Sequence, residues 1–396
     1  MGWDDKRKIS FMDDCNKREE ILHMKMKKLN IALLTLGFSK ERKEATGITI
    51  MSYAKELKRL GHNVIIISSK KGFRTEILRE YEKVDGIKIY RPYKSYIFGY
   101  AKAIDDVERK EKLEFDIIHN FSNAPILALR AILSKFYTKK AMTIQTIKGK
   151  SAKIFGSLVF SPLLNLMDAV TVPTEFLKNK IKRYGCFKKV WIIRSHIDTS
   201  KFRPLNKEKL KKKYGYENKK IIFYYGAVRK ESKGVEYLEE AAKSFENDRN
   251  VLFVFAPRNP EYIKDYGDLK GKNKRVVQNI DIVDYVNLAD VIVLPYKDMK
   301  STEGNPSCIL EAMACKTPVI TTNLDEINEI AVDREEVLMV NPLDSKDIAE
   351  KIKIMLNDKG LRERLIDNAY RKSKEFDIKK KIEEYLEIYE ESLGLI

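Results

Sequence analysis

Residues 301–322 read STEGNPSCILEAMACKTPVITT; they follow one predicted strand, Val291–Pro295, and include the next, Pro318–Thr321. Pro306 suits the first turn of a helix, because proline has no backbone N–H and that turn does not need one. The helix that follows contains Glu311. A strand, a helix and a second strand in this order are typical of a parallel sheet covered by helices.

The same alternation extends from this stretch along most of the chain. Short runs of β-forming residues are separated by segments long enough for crossover helices. The first predicted series of strands is Ile31–Leu36, Val64–Ser68, Ile87–Tyr90, Asp116–His119, Ala141–Gln145, Ala169–Pro173 and Trp191–Arg194, and the second is Ile221–Tyr225, Val251–Ala256, Val276–Asn279, Val291–Pro295, Pro318–Thr321 and Val337–Val340. Two such series predict an α/β protein with two tandem Rossmann-like, doubly wound domains that face each other across a cleft.

Changes in composition give the predicted domain boundaries. Residues 1–27 form a polar extension, residues 28–203 the first domain and residues 204–374 the second. Residues 375–396 form a C-terminal helix that is expected to cross back to the first domain. Its stretch from Ile378 to Leu393 is amphipathic, which predicts that one side of this helix is buried.

Two carboxylates near the centre of the quoted stretch are candidates for ligand binding. Glu303 stands in the predicted loop, and Glu311 stands on the helix. Ligands of doubly wound sheets bind beyond the carboxyl ends of the strands, and carboxylates accept hydrogen bonds from the two hydroxyls of a ribose. The alternative is a solvated loop carboxylate and a glutamate that balances the helix dipole.

The spacing Glu303-x7-Glu311, followed by EAMACKTPVI, resembles the signature of family 4 retaining glycosyltransferases of the GT-B fold. Further segments resemble this family in the same order over residues 27–396: GHNVIIIS, MDAVTVPTEF, IIRSHIDTSKFRP, YYGAVRKESKGVEYLEEA, NLADVIVLP and NPLDSKDIAEKI. The resemblance implies that the first domain holds the acceptor and the second binds a nucleotide sugar.

The resemblance also implies roles for individual residues. Glu303 would contact the transferred sugar and act in catalysis, and Glu311 would hold the ribose hydroxyls. Lys233 would bind the donor diphosphate. The backbone amides near the helix start would help to hold the sugar; they belong to Gly304, Asn305 and Ser307.

Three positions depart from the family pattern. Ala227 stands where the family has an arginine after the strand glycine, and Arg229 or Lys230 is the expected replacement at the phosphate. Gln145 stands near the reacting centre, where the family commonly has a histidine. Glutamine can hold a sugar hydroxyl but cannot accept a proton, and a front-face mechanism lets the leaving phosphate accept it instead.

The third departure is Ser195-His196, which replaces an Asn-Gly pair in the turn before the second domain. A residue other than glycine must tolerate the backbone conformation there.

Two residues of the first domain are candidates for the cleft. Gly47 is predicted in the loop after the first strand, before a helix that starts near Thr49, and a plain turn is the alternative. His119 ends a predicted strand, and a lone histidine is more often a satisfied structural residue. No cluster of histidine, cysteine and acidic residues has the spacing of metal ligands, so we expect no metal and no cofactor besides the nucleotide sugar.

The charge is distributed unevenly. Residues 1–200 carry 40 Lys+Arg and 22 Asp+Glu, whereas residues 201–396 carry 36 of each, so the whole net charge of +18 lies in the first half. This asymmetry indicates contact with an anionic membrane or a polyanion, and a solvated surface is the alternative. The basic half contains no recognised nucleic-acid-binding module, so no nucleic acid is expected as a partner.

Neither a secretory signal nor an apolar stretch long enough to span a membrane is found in the sequence. A cytoplasmic protein is therefore expected, peripheral on the inner face of the membrane. The chain has only two glutamines, Gln145 and Gln278, against 76 Lys+Arg, a bias that resembles thermophile proteins.

The predicted activity is transfer of a sugar from a nucleoside diphosphate sugar to an acceptor hydroxyl of a glycan or a lipid-linked glycan, with retention of anomeric configuration. Two alternatives are an epimerase or phosphorylase of the same fold, against which the spacing of Glu303 and Glu311 argues, and a noncatalytic protein that binds sugar nucleotides or polyanions. Ala227 and Gln145 keep the second alternative open.

Overall fold

The computed structural model describes residues 27–35, 38, 45–69, 78–91, 100–121, 138–144, 161–226, 233–257, 271–298 and 305–396. Within these residues it contains two sheets, one of eight strands and one of six. Helices connect the strands of both, so the predicted α/β fold with two Rossmann-like sheets is confirmed.

The first sheet has the strand order β3-β4-β2-β1-β5-β6-β7-β8. Its strands are β1 (Asn30–Thr35), β2 (Asn63–Ser68), β3 (Tyr81–Val84), β4 (Ile87–Tyr90), β5 (Ile117–Asn120), β6 (Lys139–Thr143), β7 (Ala169–Val172) and β8 (Val190–Ile192). The described helices among them are α1 (Ala45–Arg59), α2 (Tyr100–Glu111), α3 (Ser161–Asn165) and α4 (Glu175–Arg183). The central strands β1 and β5 are almost continuously buried, which agrees with a sheet covered on both faces.

One strand of the first sheet was not predicted. The edge strand β3 pairs with β4 antiparallel, whereas β1–β2, β1–β5, β2–β4, β5–β6 and β7–β8 pair in parallel. Asp85 and Gly86 join the two strands with φ values of 49° and 80°. Two consecutive left-handed residues fit a two-residue hairpin turn.

The second sheet has the order β11-β10-β9-β12-β13-β14. Its strands are β9 (Lys220–Gly226), β10 (Val251–Pro257), β11 (Lys274–Val276), β12 (Val291–Leu294), β13 (Val319–Thr322) and β14 (Leu338–Val340), and neighbouring strands pair in parallel. Its helices are α5 (Lys207–Tyr214), α6 (Val235–Lys243), α7 (Ile282–Leu288), α8 (Ser307–Ala314), α9 (Asp325–Asn328), α10 (Ser345–Asn357) and α11 (Lys359–Ser373), followed by a 3₁₀ turn at Lys374–Phe376.

Several of these helices are capped at their N-terminus by a polar side chain. Asn206 accepts a hydrogen bond from the Lys209 amide at the start of α5, and Asp358 accepts one from the Leu361 amide at the start of α11. Such caps satisfy backbone donors that have no partner within the helix.

The hydrophobic core of the second sheet begins at Ile197 and ends at Phe376. These limits lie close to the predicted second domain, residues 204–374, whose boundaries stay a prediction. The two compact units of the chain have other limits. One unit is Met1–Met142 together with Ser392–Ile396, and the other is Thr143–Glu391.

The final helix, α12 (Ile378–Leu393), is amphipathic as predicted, with Ile382, Tyr385, Leu386 and Tyr389 buried. The Tyr385 hydroxyl lies 3.1 Å from Thr143 Oγ1, which lies 2.6 Å from Thr171 Oγ1. The helix therefore packs against the last residue of β6. Within the described ranges, no helix combines the length and the apolar character needed to cross a membrane.

Candidate functional site

The carboxyl ends of β9 and β12 are neighbours in the second sheet, because these strands pair in parallel. β9 ends at Gly226 and is followed by Lys233, and β12 ends at Leu294 and is followed by α8. Residues after the two strands therefore meet at the edge where doubly wound sheets bind their ligands.

Gly234 brings the start of α6 against the end of β12. It is the N-cap of α6 and has a φ of 65°. A Cβ atom at this position would lie 1.9 Å from the Pro295 carbonyl oxygen, a distance that side-chain carbons do not reach. Only glycine fits, since both the left-handed backbone and the close approach exclude a side chain.

Lys233 therefore lies at the beginning of a helix and beside the end of β12. Its Nζ is 4.7 Å from the centre of the Tyr296 ring, within cation–π range. A cation at a helix start adds to the exposed backbone N–H groups there, and both attract an anion. The role of Lys233 at a diphosphate stays a prediction.

A second lysine, which the sequence did not single out, lies nearby. Lys297 Nζ is 2.7 Å from Glu236 Oε1, and the hydrogen bond to Glu236 raises the pKa of Lys297. A Cβ atom at Gly234 would lie 3.3 Å from Lys297 Cγ, so the aliphatic part of the Lys297 side chain lies beside the Gly234 backbone.

Glu311 lies on α8 and is held from the neighbouring strand. The Tyr225 hydroxyl, near the end of β9, lies 2.9 Å from Glu311 Oε2 and 2.9 Å from the Cys308 carbonyl oxygen. Tyr225 is only 3% exposed, and burial together with the charge of Glu311 raises its pKa well above the ordinary value. The hydroxyl stays protonated and remains a donor.

Asn305 is buried, and its side chain forms hydrogen bonds with the backbone of other segments. Its Oδ1 accepts a hydrogen bond from the Ser195 amide at 3.3 Å, and its Nδ2 donates to the Glu326 carbonyl at 3.1 Å. The Ser195 hydroxyl donates to the Asn305 carbonyl at 2.8 Å. The predicted sugar contact concerns the Asn305 backbone amide, so the side-chain contacts fix the segment before α8 without occupying that amide.

The turn at Ser195-His196 avoids the strain expected there, because neither residue has a positive φ. Ser195 contributes its amide and hydroxyl to Asn305 instead. This replacement of Asn-Gly is therefore compatible with the backbone.

α8 begins at Ser307, and its N-cap Pro306 makes no side-chain hydrogen bond. The first amides of a helix have no acceptor within the helix, so the Ser307 amide is available to a ligand above the helix start. The other predicted site residues, Glu303, Gly304, Arg229 and Gln145, lie outside the described residues, as does Ala227.

The two first-sheet candidates occupy packed positions. Gly47 lies within the first turn of α1, not in the predicted loop, and a Cβ atom there would lie 3.4 Å from the Phe38 ring. The prediction of a helix start near Thr49 was therefore wrong, because α1 begins at Ala45.

His119 is completely buried in β5 and stacks on Phe121, with ring centres 4.0 Å apart. Burial lowers its pKa to about 3, so it is neutral at physiological pH. Both features favour the structural alternative, and a role for His119 in a cleft stays a prediction. Among the described residues, no three histidine, cysteine or acidic side chains are grouped so that they could hold a metal ion.

Two family models match consecutive parts of the chain. The model for glycosyl transferases group 1 matches residues 206–372, and the model for Glycosyltransferase Family 4 matches residues 46–201. The first match includes Lys233, Glu303 and Glu311.

Curated relatives extend the similarity over most of the chain. TuaC of Bacillus subtilis, whose name assigns it to teichuronic acid biosynthesis, is 22% identical over 86% of this chain and 93% of its own length. A Campylobacter jejuni enzyme named N,N'-diacetylbacillosaminyl-diphospho-undecaprenol α-1,3-N-acetylgalactosaminyltransferase is 29% identical over 54% of this chain and 57% of its own length.

Solved structures share the fold. A glycosyltransferase from Rickettsia africae has a TM-score of 0.71 and 22% identity, covering 93% of this chain and 99% of that one. HepE from Anabaena, in complex with UDP, has a TM-score of 0.73 and 14% identity, covering 93% and 100%. The two sheets, the two family models and these relatives agree, and the chain belongs to the GT-B glycosyltransferases of the family 4 type.

Proposed function

We propose that the chain transfers a sugar from a nucleoside diphosphate sugar to an acceptor hydroxyl, with retention of anomeric configuration, in glycan or glycolipid synthesis. The observation that carries this proposal is the position of Lys233 and Glu311. Lys233 precedes α6 and Glu311 lies on α8, at the neighbouring carboxyl ends of β9 and β12. A cation and a carboxylate at this edge fit the diphosphate and the ribose of one nucleotide.

The proposed donor site uses both ends of the nucleotide sugar. Glu311 accepts hydrogen bonds from the ribose hydroxyls, and Lys233 with Arg229 neutralises the diphosphate. Glu303 and the amides at 304, 305 and 307 hold the transferred sugar. The reaction needs no metal in this proposal, because the lysine and the helix start already stabilise the leaving diphosphate.

In the proposed chemistry the acceptor oxygen forms a bond to the anomeric carbon while the bond from that carbon to the phosphate oxygen breaks. The acceptor hydroxyl proton passes to the leaving phosphate, on the same face of the sugar. No protein base is then required, which is compatible with Gln145. Gln145 would hold a sugar hydroxyl near the reacting centre.

A lipid-linked glycan is the proposed acceptor. The Campylobacter jejuni relative is named for an undecaprenol-linked substrate, and the basic first half of this chain suits an anionic membrane.

The proposal is tested by incubating the chain with a panel of UDP-, GDP- and ADP-sugars and measuring release of the nucleoside diphosphate and the anomeric configuration of the sugar product. Release with retention is expected for one donor. Binding without release would favour the noncatalytic alternative, and interconversion of sugar nucleotides would favour an epimerase.

Lys233→Ala is expected to weaken binding of the nucleoside diphosphate by about ten- to a hundredfold, the effect of losing hydrogen bonds to a charged group. Binding of the free nucleoside should be almost unchanged, because only the diphosphate meets the lysine. Calorimetric titration of both ligands measures the difference. Lys243→Ala, at the opposite end of α6, is the matched control and should bind both ligands normally. Equal losses for both ligands would refute the assignment of Lys233.

An exposed turn with apolar and basic side chains is the proposed membrane-binding surface. Phe187, just after α4, is 86% exposed, and Leu166, just after α3, is 55% exposed. Asn165 joins the two, since its Oδ1 accepts a hydrogen bond from the Phe187 amide at 2.8 Å. Lys182 and Lys188 are exposed beside them. An aromatic ring surrounded by lysines suits the interface of an anionic bilayer.

The full chain is therefore expected to bind vesicles that contain phosphatidylglycerol at low salt, and to be released as salt shortens the screening length. Phe187→Ser should weaken this binding several-fold, since it removes the exposed ring. Phe176→Ser is the matched control, because Phe176 is also exposed but lies at the opposite end of α4. Absence of binding at low salt would contradict the membrane proposal and favour a soluble acceptor.

A further inference from the structure

We propose that Tyr225 is a positioning residue for Glu311, whose carboxylate it holds in the orientation that accepts the ribose hydroxyls. The inference rests on the proposed function, because it assigns Tyr225 to the ribose half of the proposed donor site.

The contact joins a strand to a helix. Tyr225 belongs to β9 and Glu311 to α8, and 86 residues separate them in the chain. The tyrosine hydroxyl has one hydrogen and two acceptors at 2.9 Å, Glu311 Oε2 and the Cys308 carbonyl. A carboxylate is the stronger acceptor, so the hydrogen is directed mainly to Glu311.

The donor itself is rigid. Tyr225 is buried, and its ring stacks on Phe223 with centres 5.3 Å apart and planes 12° from parallel. A fixed ring holds its hydroxyl in one place, and a hydrogen bond from it restricts the rotation of the Glu311 carboxylate. A carboxylate that is already oriented loses less conformational freedom when the ribose binds.

Tyr225 is also the next-to-last residue of β9, the strand that precedes Lys233 in the chain. The next residue is Gly226, the last of β9, and the segment that follows leads to Lys233 at the start of α6. The strand end therefore holds the Glu311 carboxylate through the Tyr225 side chain.

The experiment uses Tyr225→Phe, which removes one oxygen and keeps the ring. Tyr224→Phe is the matched control, because Tyr224 is also buried, and successive side chains of a strand point to opposite faces of the sheet. The probe is whichever of UDP, GDP and ADP the full-length chain binds most tightly, together with its 2′,3′-dideoxy form. Affinities are measured by calorimetry for both variants, for Glu311→Ala and for the double variant Tyr225→Phe/Glu311→Ala, and thermal denaturation checks folding.

Tyr225→Phe is expected to weaken binding of the ribonucleotide about five- to tenfold, the effect of losing one ordinary hydrogen bond, because Tyr225 acts on the ribose only through Glu311. It should leave the dideoxy affinity unchanged and add nothing in the Glu311→Ala background. Tyr224→Phe should bind both probes like the wild type.

The opposite results are equally definite. Wild-type affinity in Glu311→Ala would remove the proposed ribose site and this inference with it. A loss in Glu311→Ala with none in Tyr225→Phe would overturn this inference alone. Equal losses for both probes, an additive loss in the double variant, or failure of Tyr225→Phe to fold where Tyr224→Phe folds would make the hydroxyl merely structural.

Discussion

Glu303→Ala is expected to lower kcat on the order of 100-fold, because a group beside the breaking glycosidic bond contributes most when charge develops in the transition state. Glu311→Ala is expected to raise the donor KM and leave kcat nearly unchanged. The ribose hydroxyls do not react, so Glu311 binds them equally in the ground state and the transition state.

Steady-state kinetics with one competent donor separate these roles. Glu303→Gln keeps hydrogen bonding without the negative charge, so a partial recovery of kcat would distinguish positioning from electrostatics. A normal kcat in the Glu303 variants with a low kcat in Glu311→Ala would reverse the two assignments. Kinetics like those of the wild type in all three variants would mean that the site lies elsewhere.

Gly234→Ala is expected to destabilise the protein by about 3 kcal/mol or more, since a side chain there would force backbone to move. The added Cβ would lie 1.9 Å from the Pro295 carbonyl oxygen, and the residue must keep a φ of 65°. Equilibrium denaturation measures the loss. Because Gly234 follows Lys233 directly, nucleoside diphosphate affinity should fall as well.

Gly215→Ala provides the matched control for this substitution. Gly215 is the C-cap of α5 with a φ of 71°, and no atom lies within 4 Å of its would-be Cβ. Only the left-handed backbone then opposes alanine, at a cost of about 1 kcal/mol. Similar losses for the two variants would contradict the close approach of α6 to the end of β12.

The parallel strands were predictable because their side chains form apolar runs. β9 and β10 are almost entirely buried, and runs of this kind between segments of helical length indicate a doubly wound sheet. The structure overlaps every predicted strand. Strand ends were less predictable, as at β6, which runs over Lys139–Thr143 and not Ala141–Gln145.

The edge strand β3 was missed because its sequence lacks an apolar run. Tyr81–Val84 has two adjacent charged residues, Glu82 and Lys83, at its centre, and only Val84 is buried. Edge strands are partly solvated and do not need continuous apolar side chains. The Asp85-Gly86 pair between two short β-forming segments was the available signal.

The positions of two candidate site residues follow from segments that resemble the family, and their roles stay predictions. Lys233 and Glu311 stand in recognisable segments, and the structure places them at neighbouring strand ends. Tyr225 and Gly234 could not be predicted, since their importance depends on tertiary contacts with Glu311 and Pro295. Neither contact produces a local pattern in the sequence.

A crystal structure of the chain with its preferred nucleoside diphosphate tests the central claim most directly. The proposed function predicts that both ribose hydroxyls lie within hydrogen-bond distance of the Glu311 carboxylate, and that the diphosphate contacts Lys233 and the start of α6. A nucleotide bound away from the carboxyl ends of β9 and β12, or bound there without contact to Glu311, would contradict it.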